Sequence, residues 1–126
     1  DDEARRVLVV DDNEDAAHAL AAGLGLLGYR VRIAHDGPSA LRLAEAFEPD
    51  IALLDIGLPV MDGYELARRF TEHPRLARAL RIAITGYGQD RDRRRSAAAG
   101  FSAHIVKPIE LDRLHAILAR LDPPAA

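Results

Sequence analysis

Five side chains stand out for the chemistry they could share. Lys107 is the only lysine in the chain; every other formal cation is arginine. It stands just past an apolar run containing Ala103, Ile105 and Val106. Lysine is a compact point charge on a flexible stem, suited to reaching one oxyanion, whereas arginine is a broad planar fork. The acidic pair Asp11-Asp12, the lone Asp55 and Thr85 each follow an apolar run in the same way. Three carboxylates, a hydroxyl and an ammonium at equivalent positions suggest one shared pocket.

The elements that would position them are legible as an alternation. Five short runs rich in Val, Ile and Leu read as strands: Val7–Val10, Val31–Ala34, Ile51–Leu54, Arg81–Ile84 and Ala103–Val106. Most are apolar throughout, the signature of strands covered on both faces. Between them lie amphipathic stretches with helical spacing. The first runs from Glu14 to Leu27 and stops at Gly28; the second covers Pro38 to Phe47, with Pro38 in its first turn. The third runs from Asp62, a candidate N-cap, to Glu72, and the fourth from Asp90 to Ala99, stopping at Gly100. The fifth covers Leu111 to Leu121, with Leu111, Leu114, Ile117, Leu118 and Leu121 on one face.

Strand and helix repeated five times predicts a parallel sheet with helices on both faces, since crossovers between parallel strands are right-handed. Ligands of such sheets bind at the carboxyl ends of the strands. There Asp11, Asp12, Asp55, Thr85 and Lys107 would meet. The carboxylates would repel one another unless a cation sat among them. Hard oxygen ligands without nearby His or Cys favour magnesium, or manganese, over zinc. Magnesium keeps several waters and favours phosphoryl oxygens. Asp55 would then be a nucleophile giving an acyl phosphate, with Lys107 and Thr85 on the phosphoryl oxygens.

Bulk properties bound the rest. At 126 residues, 48% hydrophobic and 29% charged, the chain fits one globular domain over 1–126, with a core of about 5–121 between short flexible termini. There is no cysteine, which excludes disulfides and thiolate metal sites and is compatible with the expected cytoplasmic location. A net charge of -3 and 5% aromatic residues argue against direct nucleic-acid binding. No apolar stretch approaches the roughly 18 residues that membrane insertion would need. Arg91, Arg93, Arg94 and Arg95 interleave with Asp90 and Asp92, so they read as a solvated helix face before a nucleic-acid contact.

The segments Val7-Leu-Val-Val-Asp-Asp-Asn13, Leu53-Leu-Asp-Ile-Gly-Leu-Pro-Val-Met-Asp-Gly63, Ile82-Ala-Ile-Thr85 and Val106-Lys-Pro108 stand in order at characteristic spacing. With them the sequence resembles, over nearly its full length, the receiver domain of two-component response regulators. The resemblance implies a doubly wound, flavodoxin-like (βα)5 fold with strand order 2-1-3-4-5. It implies magnesium-dependent phosphotransfer to Asp55 from a phosphohistidine on a histidine kinase or histidine phosphotransfer domain. It assigns metal binding to Asp12 directly, Asp11 through water, Asp55, and the Gly57 carbonyl. Thr85 becomes the switch hydroxyl, Lys107 the phosphoryl partner, and the Lys107-Pro108 bond is expected to be cis. A homodimer through the fourth helix, fifth strand and fifth helix is the expected self-association.

Two departures from that pattern matter. His104 occupies a switch position where the family carries Tyr or Phe; imidazole is smaller and titrates near neutrality. Gly86 follows Thr85, so no side chain shields the site there. The expectation is a signalling switch, not a metabolic enzyme. A phosphatase of the haloacid dehalogenase type would need a second carboxylate two residues after Asp55, where Gly57 stands. A degenerate receiver serving only as an interaction scaffold is the remaining alternative. The chain starts without Met, and no helix-turn-helix region follows. It is therefore expected to be a stand-alone receiver or one from a larger protein, and its wording resembles receivers of hybrid histidine kinases.

Overall fold

The computed structural model describes residues 4–86 and 98–121, and these contain nine elements. They are β1 (Arg6–Val10), α1 (Glu14–Leu26), β2 (Arg30–Ala34), α2 (Gly37–Phe47), β3 (Ile51–Asp55), α3 (Gly63–Glu72), β4 (Leu80–Thr85), β5 (Ala103–Val106) and α4 (Leu111–Leu121). The strands form one parallel sheet of order β2-β1-β3-β4-β5. This is the expected doubly wound order. The helical stretch expected over Asp90–Ala99, with its arginines, lies outside the described residues except for its end, where residues 98 and 99 are helical.

Burial explains the sequence pattern. β1 and β3 are central, and Val7 through Val10 and Ile51 through Leu54 are almost fully buried. Alternate residues along these strands feed two separate cores. Leu8, Val10, Ala52 and Leu54 pack on one side with Leu66 and Phe70 of α3 and Ala40 and Ala44 of α2. Val7, Val9, Ile51 and Leu53 pack on the other with Leu24 of α1 and Leu114 and Leu118 of α4. β2 lies at the edge and alternates Arg30 and Arg32 with Val31 and Ile33, which keeps a charged rim on an exposed strand.

Helix ends follow local chemistry. Asp36 and Asp62 cap α2 and α3 by accepting from Ser39 N and Glu65 N. The cap of α1 is Asn13, accepting from Ala16 N, so neither Asp11 nor Asp12 caps that helix. That frees both carboxylates. Arg81, at the start of β4, buries its guanidinium among the carbonyls of Leu76, Ala77, Ala79 and Gly100, at 3.0–3.4 Å. Burial pulls its pKa below the ordinary arginine value.

Gly63 is closed to a side chain by neighbouring backbone. A Cβ on Gly63 would lie 2.6 Å from both the Asp55 carbonyl oxygen and the Ile56 Cα. α3 therefore begins pressed against the backbone that carries Asp55. Gly25, late in α1, would meet nothing within 4 Å. Gly63→Ala is expected to lower stability by about 1–3 kcal/mol through overpacking, and Gly25→Ala to raise it by about 0.5–1 kcal/mol through helix propensity. Urea denaturation of the two variants checks both signs.

Candidate functional site

The carboxyl edge of the sheet gathers the chemistry-bearing residues. Asp11 follows β1, Asp55 ends β3, Thr85 ends β4 and Lys107 follows β5. Strand pairing fixes their heights: Asp55 stands opposite Ile84, and Thr85 opposite Val106. Lys107 N then donates to the Thr85 carbonyl at 2.7 Å, continuing the ladder one step past the strand.

Side-chain geometry closes the cluster. Lys107 Nζ lies 3.2 Å from Asp55 Oδ2 and 3.4 Å from Asp11 Oδ2. Asp11 and Asp55 are only 4% and 5% exposed, whereas Asp12 faces solvent. Each of the three offers an oxygen within 4.8 Å of the others. The second oxygens are held locally: Asp55 Oδ1 accepts from Gly57 N at 2.8 Å, and Asp11 Oδ1 from Asn13 N at 2.9 Å. Thr85 Oγ1 is buried with no hydrogen-bond partner among the described residues. A buried polar atom left unpaired costs roughly 1–3 kcal/mol. The Lys107-Pro108 peptide is cis, as expected.

Other residues act on this cluster from behind, and sequence reading had passed over them. His35, the first residue after β2, places Nδ1 2.9 Å from the Asp11 carbonyl oxygen. It follows an apolar run just as Asp11 does, and that position was the available signal. Val60, in the loop after β3, has φ 66° and is fully exposed, and Met61 N donates back to the Pro59 carbonyl at 2.7 Å. This tight turn is strained for a β-branched residue. It returns the chain inward so that Met61 packs on Gly37 and Gly63 reaches Asp55.

His104 sits on β5 opposite Ala83, half-buried, with its ring 6.0 Å from that of Phe101. Phe101 in turn meets Tyr64 edge-on at 5.9 Å. By strand alternation, His104 points to the opposite sheet face from Ile105, which belongs to the α1 and α4 core.

Formal charges show what the cluster lacks. Three carboxylates and one ammonium sum to two negative charges (-3 + 1 = -2), two of the carboxylates being buried. A divalent cation brings the sum to zero. The donors are all hard oxygens, so the residues fit magnesium or manganese and not a thiolate or imidazole metal.

The model of the response regulator receiver domain family matches residues 7–119. The response regulator PleD of Caulobacter vibrioides is 38% identical over 105 residues, covering 83% of this chain and 23% of that protein. The sensor histidine kinase RcsC of Salmonella typhi is 35% identical over 114 residues, covering 90% of this chain and 12% of that protein. This chain therefore spans less than a quarter of either relative's length. The receiver domain of sensor histidine kinase PA1611 from Pseudomonas aeruginosa superposes with a TM-score of 0.83 at 35% identity, covering 93% of this chain and 96% of that one. Its structure holds a magnesium ion in the active-site cleft.

Burial draws the Lys107 ammonium's pKa down, but the Asp55 and Asp11 carboxylates more than offset this, so it ends above the ordinary lysine value. A raised lysine pKa stabilises the fold fully below its unfolded value, and the gain is lost as pH rises through the folded value. Lys107→Met is thus expected to be less stable than the parent at neutral pH, with the gap closing only above about pH 10.5. Denaturation curves for both proteins across that alkaline range check it.

Proposed function

The chain belongs to the response regulator receiver domain family, and we propose that it is a working phosphoacceptor switch in which Asp55 takes a phosphoryl group from a phosphohistidine. The observation that carries this reading is Lys107 Nζ within 3.4 Å of two buried carboxylates on different strands, beside a buried, unpaired Thr85 hydroxyl. A scaffold has no need of such a costly set.

Asp55 acts as the nucleophile. One of its carboxylate oxygens forms the new bond to phosphorus as the bond from phosphorus to the donor imidazole nitrogen breaks. The electron pair of that bond stays on the imidazole. Gly57 N holds Oδ1 and so fixes the carboxylate's orientation. Lys107 follows the negative charge from Asp55 Oδ2 to a phosphoryl oxygen, and Thr85 Oγ1 donates to another. Asp12, Asp55 and the Gly57 carbonyl would hold magnesium, with Asp11 acting through water, and the ion would supply positive charge against the transferring group.

Thr85 moving to the phosphoryl group vacates its buried site, and His104 on the neighbouring strand answers that movement. The exposed Val106 on the edge strand β5 supports self-association through a face that includes β5 and α4; the fourth helix expected to complete that face lies outside the described residues except for residues 98 and 99. The donor is a histidine kinase or histidine phosphotransfer domain, and the reading places the domain in the cytoplasm, where such donors are charged from ATP. The overall charge of -3 supports a role without direct nucleic-acid contact. Among the described residues no helix is long and apolar enough to cross a membrane.

Incubation with acetyl phosphate and magnesium is expected to add one phosphoryl group by mass. Omitting magnesium or substituting Asp55→Asn should abolish the gain, and Thr85→Ala should slow it by at least about tenfold. A gain that survives Asp55→Asn would place the chemistry elsewhere, and no gain together with no magnesium binding would return the domain to a scaffold role.

A further inference from the structure

A second group of ligand-bearing side chains lies where the start of α1 meets the end of β2. Glu14 and His18 stand four residues apart on α1 and so share one helix face. His35 comes to the same place from the end of β2: its ring lies 6.2 Å from that of His18, with the planes 29° apart. His35 Nε2 is 3.9 Å from Glu14 Oε1, too far for a hydrogen bond. Glu14 and His18 are exposed and His35 is half-buried, so ions in solution can reach all three. Backbone carbonyls orient both rings. His18 Nδ1 meets the Glu14 carbonyl oxygen at 2.7 Å, and His35 Nδ1 meets the Asp11 carbonyl oxygen at 2.9 Å. A carbonyl oxygen only accepts, so each Nδ1 carries a proton and each neutral ring keeps its lone pair on Nε2. Metal-ligating histidines are held in this way, one ring nitrogen donating to a carbonyl while the other binds the ion.

We propose that His18, His35 and Glu14 form a second metal site, for zinc, separate from the carboxylate cluster. Two imidazoles and one carboxylate suit zinc, whereas magnesium takes oxygen ligands alone, so ligand type keeps the two sites apart. With Zn–N of about 2.0–2.1 Å, two imidazoles on one tetrahedral ion have centroids about 5–6 Å apart and neighbouring ligand atoms about 3.3 Å apart. The observed spacings of 6.2 Å and 3.9 Å are slightly wider. Among the described residues only the three carboxylates are already drawn together as a group of three. Here the exposed His18 and Glu14 side chains close onto the ion by rotation, and water fills the fourth position.

The test titrates zinc chloride into the domain in the presence of excess magnesium. Binding is read by calorimetry and by the imidazole nitrogen resonances of the histidines. One saturable zinc is expected, with the Nε2 signals of His18 and His35 shifting together and that of His115 staying in place. His18→Ala removes an exposed ring and favours the helix, so the variant folds. It should weaken zinc by about tenfold or more, and Glu14→Gln should weaken it in the same direction. Zinc binding that His18→Ala leaves intact would overturn the site, as would the absence of saturable binding. Zinc displaced by rising magnesium would place the ion in the carboxylate cluster and overturn the site equally.

Discussion

Two buried carboxylates, Asp11 and Asp55, face a single ammonium, Lys107, across the ends of three strands. A like-charged pair removed from water is unfavourable unless a counter-charge is held close. Nothing within one strand can supply it, because successive side chains point to opposite faces. Only a parallel sheet brings the ends of β1, β3, β4 and β5 to one edge, so the electrostatic constraint and the topology depend on each other. The lysine meets only part of the charge, and the remainder defines a seat for a divalent cation.

The supporting layers hold that arrangement from behind. Gly57 N and Asn13 N each take one carboxylate oxygen, which leaves the other directed at Lys107. His35 meets the Asp11 carbonyl, and Gly63 sits against the Asp55 backbone with no space for a methyl. The opposite end of the sheet is structural, with Arg81 tying the α3–β4 connection to Gly100. At the carboxyl edge the Thr85 hydroxyl is buried at a cost, with no hydrogen-bond partner among the described residues.

Much of this was legible before any coordinates. The apolar runs gave the strands because central strands buried on both faces must be apolar throughout, and one lysine in an arginine-rich chain marked its own position. Long-range placement was legible only through topology: Asp11, Asp55 and Lys107 have no local signature of contact. Boundaries slipped where polar residues lie inside strands, since Asp55 and Thr85 are the last residues of β3 and β4 and not the first beyond them. The cap of α1 is Asn13, which leaves Asp11 and Asp12 for the cluster. His35 escaped notice because its role depends on the Asp11 backbone 24 residues away, and the strained turn at Val60 because a β-branched residue gives no sign of a positive φ.

The central claim is that the cluster is an unfinished charge arrangement completed by a divalent cation. Calorimetric titration of magnesium into the unphosphorylated domain and into Asp12→Asn tests it most directly. The account predicts one saturable site in the parent, with affinity reduced about 10-fold or more when one carboxylate is neutralised. Absence of saturable binding, or binding indifferent to Asp12, would contradict it.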